Sequence, residues 1–383
     1  MIGLCIRYFN KNYGGMLQCF ALTRFLEKNN IQYEMIRYQK KKNIVLLFKS
    51  IPRLFNGVLM NDKKEMLKKK IGRLLHKEFR NNDNIRSKCF EKFCDDSFTK
   101  LSPIYHGYYS LRKNSSKYSV VVSGSDQLWS PAGLPTNFYN LQFCEKGVKR
   151  ISYASSFGVS FIPWYQKRRT SDYLRKMNQI SVREEKAAEI IHNLIGEEVQ
   201  VVLDPVFLLE QNEWNDYIEE KDIVHDNYIF AYFLGKNESY RRDVMKFAKE
   251  KKMKVVTLKH VDQYVKSDVT FGDEELYNVG PADFLNLIRH ARYVFTDSFH
   301  GSAFSILNHK KFLCFKRYGD TSKVSKNSRI SSLMNLFSID CVFDGDIKKV
   351  EQPIDYDKVD DILNSKRNES ISFLLEAIDC EQK

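Results

Sequence analysis

Side chains able to carry out acid–base chemistry follow an apolar stretch at residues 295–304, which read FTDSFHGSAF. The preceding residues have the β-branched and aromatic character of a buried strand, so Asp297, Ser298 and His300 stand between two apolar segments. Open α/β sheets bind ligands at the carboxyl ends of strands, where a helix begins. Two interpretations remain: the three side chains line a ligand site, or Asp297 or Ser298 caps the next helix while His300 packs against it.

Two further clusters follow strand-like stretches in the first half of the chain. In NYGGM, Gly14 and Gly15 precede a helical pattern, so their amides are placed either to bind an anion or sugar hydroxyl or to form a tight turn. In SGSDQLW, Asp126 comes after a strand and a glycine. Its carboxylate either caps a helix or takes a proton from a substrate hydroxyl.

An arginine and an aspartate end two more apolar stretches. In SVREE, Arg183 follows a buried strand and precedes two glutamates. It either clamps a carboxylate or phosphate through its planar fork or forms ion pairs within the fold. In VVLDP, Asp204 precedes a proline, which favours a turn-forming role.

These clusters require strands that alternate with helices. The pattern repeats through the first half, is interrupted by an acidic and Asn-rich segment at 210–227, and starts again with NYIFAYFLG. Such alternation predicts parallel βαβ units. We therefore predict an α/β protein with two Rossmann-like domains facing a cleft, at residues 1–215 and 222–383. Apolar residues at helical spacing near 356–378 predict a C-terminal amphipathic helix that packs at the domain junction.

The positive charge is concentrated in one stretch. The chain has 383 residues and a net charge of +13, and residues 40–88 hold 15 Lys/Arg against 4 Asp/Glu. Apolar residues recur there at helical spacing, so this basic insertion is predicted to lie on an anionic membrane surface. A solvated basic helix and a nucleic-acid binding surface are the alternatives. No finger, RNP or KH motif is visible, so no nucleic acid is expected as a partner.

The cysteine spacing and the hydropathy argue against a metal-binding, membrane-spanning or secreted protein. Eight cysteines are scattered without a CxxC pair or a zinc-finger histidine spacing, which predicts free thiols and no metal site. No apolar run approaches the roughly 18 residues of a membrane-spanning helix, and the first residues show no signal-peptide pattern. The chain is predicted to stay in the cytoplasm, peripheral at the inner face of the cell membrane.

Six motifs in order resemble the polysaccharide pyruvyl transferase family over residues 2–329: NYGGMLQCFAL, SGSDQLW, KRISYASSFG, SVREE, VVLDPVFLL and TDSFHGSAFSILNHKKFLCF. The resemblance implies a GT-B-like fold. It also implies transfer of pyruvate from phosphoenolpyruvate onto a sugar of a lipid-linked or oligomeric surface polysaccharide precursor, with formation of a cyclic ketal.

Set against that chemistry, His300 is expected to act as the general acid and Asp126 as the base that accepts a hydroxyl proton. The donor is expected to be held by Arg183, Ser298, Gly301 and Arg329. The acceptor is expected to contact Asn12, Tyr13, Gly14 and Gly15. No metal and no cofactor are expected, with phosphoenolpyruvate as the co-substrate.

One motif departs from the family pattern. Where characterised members have R-L-H, this chain has Ser298, Phe299 and His300, so an arginine beside the histidine is missing. Another cation must replace it, or the donor differs. The alternatives are a GT-B glycosyltransferase that uses a nucleotide sugar, and a non-catalytic membrane or nucleic-acid binding protein on the same fold.

Overall fold

The computed structural model describes residues 1–41, 57–131, 137–260, 263–317 and 328–378. Its N-terminal half is built on a parallel sheet of seven strands in the order β3-β2-β1-β4-β5-β6-β7. The strands are β1 (Ile2–Cys5), β2 (Tyr33–Gln39), β3 (Leu101–His106), β4 (Val120–Ser123), β5 (Lys149–Ser155), β6 (Gln179–Val182) and β7 (Gln200–Val201). Valines 120 to 122 of β4 are fully buried, as expected for a central strand that is covered on both faces.

The C-terminal half is built on a second parallel sheet of five strands, in the order β10-β9-β8-β11-β12. The strands are β8 (Tyr228–Tyr232), β9 (Lys254–Thr257), β10 (Glu274–Glu275), β11 (Tyr293–Thr296) and β12 (Lys311–Cys314). The stretch RYVFTD thus contains strand β11, which lies between β8 and β12, and the predicted strand is confirmed. The alternation of strands and helices produces two Rossmann-like halves, and that part of the predicted fold is confirmed.

The helices of the described residues connect these strands. They are α1 (Tyr13–Lys28), α2 (Gly57–Leu75), α3 (Lys77–Ser97), α4 (Gly107–Lys113), α5 (Trp164–Leu174), α6 (Glu185–Ile195), α7 (Gln211–Tyr217), α8 (Glu238–Lys251), α9 (Pro281–His290), α10 (Phe299–Leu307), α11 (Ser328–Phe337) and α12 (Tyr356–Ile378). Within the described ranges, none of them is long and apolar enough to cross a membrane.

Strand order reverses once in each sheet, between β1 and β4 in the first and between β8 and β11 in the second. Loops that leave such a switch point diverge, and the crevice between them is where open α/β sheets bind ligands. The residues that follow β1, β4, β8 and β11 therefore border these two crevices.

The two halves share one packed core. The Tyr13 hydroxyl at the start of α1 donates to the Val279 carbonyl at 3.1 Å, and its ring stacks on Phe284 with centroids 4.9 Å apart. Trp214 of the crossover helix α7 packs edge-on against Phe304 of α10 at 5.1 Å. One hydrophobic cluster contains residues of both sheets, so the halves meet in a buried junction.

Helix α12 returns from the second half to the first, which confirms the predicted position of the C-terminal helix at the junction. The Ser370 hydroxyl oxygen accepts a hydrogen bond from the Leu203 amide at 2.9 Å. The Arg367 guanidinium donates to the Phe207 carbonyl at 2.7 Å. Leu203 and Phe207 belong to the segment that follows β7, so α12 holds the loop that carries Asp204.

The two described helices of the basic insertion, α2 and α3, differ in how far they are buried. Residues 42–56 lie outside the described part of the chain. Arg86 of α3 is only 2% exposed and donates to the carbonyls of Lys259 and Leu276, in the C-terminal half, at 2.7 and 2.9 Å. Helix α3 therefore connects the two halves through hydrogen bonds. Of the two described helices of the insertion, α2 is the one with a large exposed apolar face.

Candidate active site

A buried ion pair lies where the two halves meet. Arg183 directly follows β6, and its Nη1 lies 2.6 Å from Oδ2 of Asp204. The two side chains are 2% and 0% exposed. The same Oδ2 accepts from the Ser125 hydroxyl at 3.1 Å, and Oδ1 accepts from the Val206 amide at 3.1 Å. Burial raises the pKa of Asp204, but His300 and Arg183 outweigh it and hold that pKa well below its usual range.

His300 reaches this ion pair from the other half. It lies in the first turn of α10, and its Nε2 is 3.6 Å from Oδ2 of Asp204. This Nε2 is buried and has no hydrogen-bond partner among the described residues. Gly14 of the first half borders the ring so closely that an added Cβ would lie 2.1 Å from the His300 Cγ. The missing side chain of Gly14 is thus what makes room for the imidazole.

Asp126 is the carboxylate of this cluster that solvent can reach. Its side chain is 19% exposed, against 6% or less for Glu184, Asp204 and the Arg183 guanidinium group. Its backbone has a φ of 78°, a left-handed conformation that is uncommon outside glycine and is concentrated at functional sites. Its Oδ1 lies 3.8 Å from Arg183 Nη2. Burial raises the pKa of Asp126, but the nearby Arg183 and His300 have the larger effect and hold that pKa below its usual value. The carboxylate is therefore ionised at neutral pH.

A second arginine, Arg329 of α11, lies close enough to Arg183 for the two guanidinium groups to repel each other. Burial and repulsion by Arg183 lower the pKa of Arg329 to about 10. The two arginines and Glu184 line a cavity of about 110 Å³, which exceeds the roughly 15 Å³ that one water needs. Phe299 forms another wall, and its ring centroid lies 4.5 Å from the Arg183 Cζ.

Several buried polar atoms around this cavity have no hydrogen-bond partner within the described ranges. They are Arg183 Nε and Nη2, Glu184 Oε2, His300 Nε2 and Arg329 Nε. Buried donors are rarely left unpaired, because each costs about 1–3 kcal/mol. Four of these five atoms belong to cationic or protonatable nitrogen groups. The arrangement is therefore suited to a small anion that accepts several hydrogen bonds.

The chemistry available here is proton transfer beside a bound anion. His300 can hold and release a proton near neutral pH, and Asp126 is an ionised carboxylate at the surface of the site. Two arginines supply fixed positive charge in a water-poor environment. No group of three or more His, Cys, Asp or Glu side chains in the described residues is arranged to bind a metal ion.

Comparison with known proteins decides which family combines these features. The family model described as polysaccharide pyruvyl transferase matches residues 12–317, which include Asp126, Arg183, Asp204 and His300. The chain belongs to the polysaccharide pyruvyl transferase family. No curated protein sequence matches it.

The fold of this pyruvyl transferase family member is also similar to those of solved structures. A protein assigned as UDP-N-acetylglucosamine 2-epimerase from Listeria monocytogenes is 9% identical with a TM-score of 0.52, over 100% of this chain and 97% of that one. UDP-GlcNAc 2-epimerase from Neisseria meningitidis is 10% identical with a TM-score of 0.50, over 98% and 99%. At such identities the likeness shows the fold alone, and it confirms the predicted GT-B-like architecture.

Four of the predicted site residues come together in the transferase. Arg183 and Asp126 arrive from the ends of β6 and β4, His300 from α10 and Arg329 from α11. Their influence on one another is electrostatic: Arg183, His300 and Arg329 each lower the pKa of Asp126 after burial has raised it. Residues as far apart in the sequence as Asp126 and Arg329 thus form one charged site.

Two residues predicted to bind the donor have other partners. The Ser298 hydroxyl caps α10 by accepting from the Gly301 amide at 3.3 Å. An added Cβ at Gly301 would lie 2.6 Å from the Thr296 hydroxyl oxygen, so this glycine allows α10 to approach β11 closely. The helix-cap interpretation of Ser298 therefore applies, and the Gly301 amide is already occupied.

The residues predicted to bind the acceptor also have structural partners. Asn12 caps α1 through a hydrogen bond from the Gly15 amide to its side-chain oxygen at 2.8 Å. Tyr13 is fully buried in the domain junction, which leaves it no surface for a ligand. Gly14 lies against His300, and contact of Asn12, Gly14 or Gly15 with an acceptor stays a prediction.

Sequence patterns missed three residues of the site. Asp204 does form the predicted turn, through the Val206 amide, but it also contacts Arg183 and His300. Glu184 is 5% exposed and bonds the Ser156 hydroxyl, and Phe299 packs under Arg183. The available signal for Asp204 was its position at a strand end, and the proline after it favoured the simpler interpretation.

Proposed function

We propose that the protein transfers pyruvate from phosphoenolpyruvate onto two hydroxyls of one sugar in a lipid-linked or oligomeric surface polysaccharide precursor, forming a ketal. The observation that carries this proposal is the pair Arg183 and Arg329 on one cavity, with nitrogen atoms that lack hydrogen-bond partners among the described residues. Phosphoenolpyruvate carries a carboxylate and a phosphate on a three-carbon unit. Both groups suit guanidinium forks.

The transfer needs an acid, a base and a stabilised leaving group. His300 donates a proton to the methylene carbon, and a sugar hydroxyl oxygen bonds to the enolic carbon while Asp126 accepts the hydroxyl proton. Phosphate then leaves and a second hydroxyl closes the ketal. Of the two hydroxyl protons, one restores His300 and the other leaves with phosphate.

The buried carboxylate of Asp204 supports this cycle. It lies 3.6 Å from His300 Nε2 and is held ionised by Arg183, so it stabilises the protonated imidazole before transfer. Fixed charges of this kind act without reorganising during the reaction. In the family motif, an arginine stands where this chain has Ser298. In this proposal Arg329 takes the place of that arginine in binding the donor.

Transfer of a sugar from a nucleotide sugar receives less support from the second half. The Leu234 and Gly235 amides after β8 are the backbone donors at that switch point. They donate to Asp297 at 2.7 and 2.6 Å, so a diphosphate would have to displace a buried carboxylate. On the Arg183 side, Arg183 Nε and Nη2 and Arg329 Nε have no hydrogen-bond partner among the described residues.

Membrane docking by α2 is the second part of the proposal, because the acceptor is attached to lipid. Met66, Leu67, Leu74 and Leu75 are 58 to 74% exposed along this helix. Residues 68–70 between them are all lysine. An apolar stripe flanked by lysines matches the interface of an anionic bilayer.

The function is tested by incubating the purified protein with phosphoenolpyruvate and lipid-linked sugars extracted from bacterial membranes. Phosphate release and a mass increase of the glycan corresponding to a pyruvyl ketal are expected. The Arg329→Met variant should raise the KM for phosphoenolpyruvate by about 10- to 100-fold, since it loses a charge-assisted hydrogen bond. Arg289→Met, on α9 away from the cavity, is the matched control. Addition of a sugar from a nucleotide sugar, without phosphate release, would contradict the proposal.

Docking is tested with vesicles that contain phosphatidylglycerol. The Leu74→Ser/Leu75→Ser variant should bind them at least about tenfold more weakly, because each buried leucine contributes about 1.5–3 kcal/mol. Tyr109→Ser, which changes an 81% exposed aromatic on α4, should bind like the unmodified protein. Equal binding by all three proteins would remove the membrane role and leave the transferase proposal intact.

A further inference from the structure

A much larger cavity, of about 600 Å³, opens at the switch point of the first sheet. Its walls come from residues that follow β1, the end of β2, the segment after β4 and helix α5. The wall after β4 begins at Leu128, whose amide donates to the Asp126 carbonyl at 2.8 Å. A backbone hydrogen bond therefore ties this wall of the cavity to Asp126, a carboxylate of the candidate active site that solvent reaches.

Aromatic rings form much of its surface. Trp129 is held by a hydrogen bond from its Nε1 to the Tyr139 carbonyl at 3.1 Å, and it packs against Tyr173 with centroids 5.8 Å apart. Tyr38 and Phe138 pack at 5.4 Å. Rings fixed in this way offer flat apolar faces with polar edges, which is a surface suited to a sugar.

The charge of the cavity has one sign. Among the described residues, its lining contains Arg7, Arg37, Lys40 and Arg169 and no Asp or Glu. None of these four forms a salt bridge with a carboxylate in the part of the chain that the structure describes. The Arg7 guanidinium lies over the Tyr139 ring at 5.4 Å instead. Desolvation and the neighbouring charge of Arg7 lower the pKa of Lys40, as expected for two cations that lack an anion between them.

The rim of the cavity is apolar. Phe9 and Ile104 belong to the lining and are 65% and 46% exposed. Trp164 and Phe161, on either side of the lining residue Ile162, are 83% and 51% exposed. Exposed apolar groups gathered around a pocket mark a binding surface.

We infer that this cavity binds a sugar joined through phosphate to an apolar chain. The sugar lies against the aromatic faces, the phosphate contacts Arg7 and Lys40, and the chain leaves over Phe9 and Ile104. A neutral sugar would leave the cations unmatched, and a nucleotide would place a polar base on the apolar rim. That this ligand is the acceptor rests on the proposed function, whereas its binding does not.

Calorimetric titration of the full chain tests the inference with defined probes. Glucose 1-phosphate should bind at least about tenfold more tightly than glucose, because the phosphate adds charge-assisted hydrogen bonds. Glucose linked to farnesyl diphosphate should bind more tightly than UDP-glucose. Arg7→Met and Lys40→Met should each remove most of the preference for glucose 1-phosphate. Lys41→Met, the adjacent lysine that does not line the cavity, should keep it.

Three outcomes would overturn the inference. Equal affinity for glucose and glucose 1-phosphate would remove the anion site, and tighter binding of UDP-glucose would remove the apolar chain. Displacement of glucose 1-phosphate by phosphoenolpyruvate, with no simultaneous binding of both, would make the cavity the donor site. Failure of the protein to consume phosphoenolpyruvate would contradict the proposed function while leaving these binding results valid.

Discussion

Asp126 and Asp297 stand at corresponding places in the two halves, each just after the strand on the C-terminal side of a switch point. The Asp297 carboxylate is 3% exposed and accepts from two backbone amides at 2.7 and 2.6 Å. Arg317 also donates to the Asp297 backbone carbonyl at 2.8 Å. Asp126 is 19% exposed at its side chain, has a left-handed backbone, and has its nearest guanidinium nitrogen at 3.8 Å.

Under the proposed function, the difference gives Asp297 a structural role and Asp126 a chemical one. A carboxylate whose oxygens are saturated by fixed donors stabilises the loop and cannot accept a substrate proton. A carboxylate held ionised by charges at longer range retains free lone pairs. Asp297, singled out first by the sequence, is thus the structural member of the pair.

The largest expected effect comes from exchanging each aspartate for asparagine. Asp126→Asn should lower kcat by about 10²- to 10⁴-fold, the size of a general base contribution, while changing the free energy of unfolding by less than about 1 kcal/mol. Asp297→Asn should lose about 1–3 kcal/mol of stability, because its amide group cannot accept from both backbone N–H groups. Steady-state kinetics and urea unfolding of both variants check this, and a catalytic loss in Asp297→Asn at full stability would reverse the comparison.

Asp204 combines both roles, so Asp204→Asn should lose stability and turnover together. Leaving the buried Arg183 without its partner should cost about 3–5 kcal/mol. The wild-type pKa of Asp204 is depressed on folding, so its stabilisation is present above the unfolded pKa of about 3.9 and is lost as pH falls below it. We expect urea unfolding between about pH 2 and 5, which spans the unfolded pKa, to show the difference. The free energy of unfolding should depend less steeply on pH in the variant than in the wild type. An unchanged slope would mean that Asp204 is not the group responsible.

Two adjacent glycines give the smallest and most local effect. Gly14→Ala should displace His300, lower turnover and cost about 1–3 kcal/mol, since the new Cβ would lie 2.1 Å from the ring. Gly15→Ala should gain up to about 1 kcal/mol, because its Cβ meets only Asn12, at 3.4 Å, and alanine favours a helix. Thermal unfolding and activity of the pair check this. Full activity in Gly14→Ala would show that the position of His300 is not critical.

The sequence predicted the strands well, but it did not predict which side chains contact one another. Apolar runs such as Val120–Ser123 and Tyr293–Thr296 predicted buried parallel strands, and the carboxyl ends of those strands do carry the polar residues. The ion pair between Arg183 and Asp204 could not be predicted, because strand-end position does not say which carboxylate faces which guanidinium. The docking of α3 through Arg86 was also hidden, since a basic amphipathic pattern looks the same on a membrane and against another domain.

The most direct test of the central claim is the isotope content of the product made in deuterium oxide. If His300 protonates the methylene carbon of phosphoenolpyruvate while Asp126 accepts the hydroxyl proton, the ketal methyl group should carry one deuterium by mass spectrometry. His300→Asn should keep the fold and form the same product at a rate lower by a factor of about a hundred or more. A ketal without deuterium, or equal rates in the two proteins, would contradict the account.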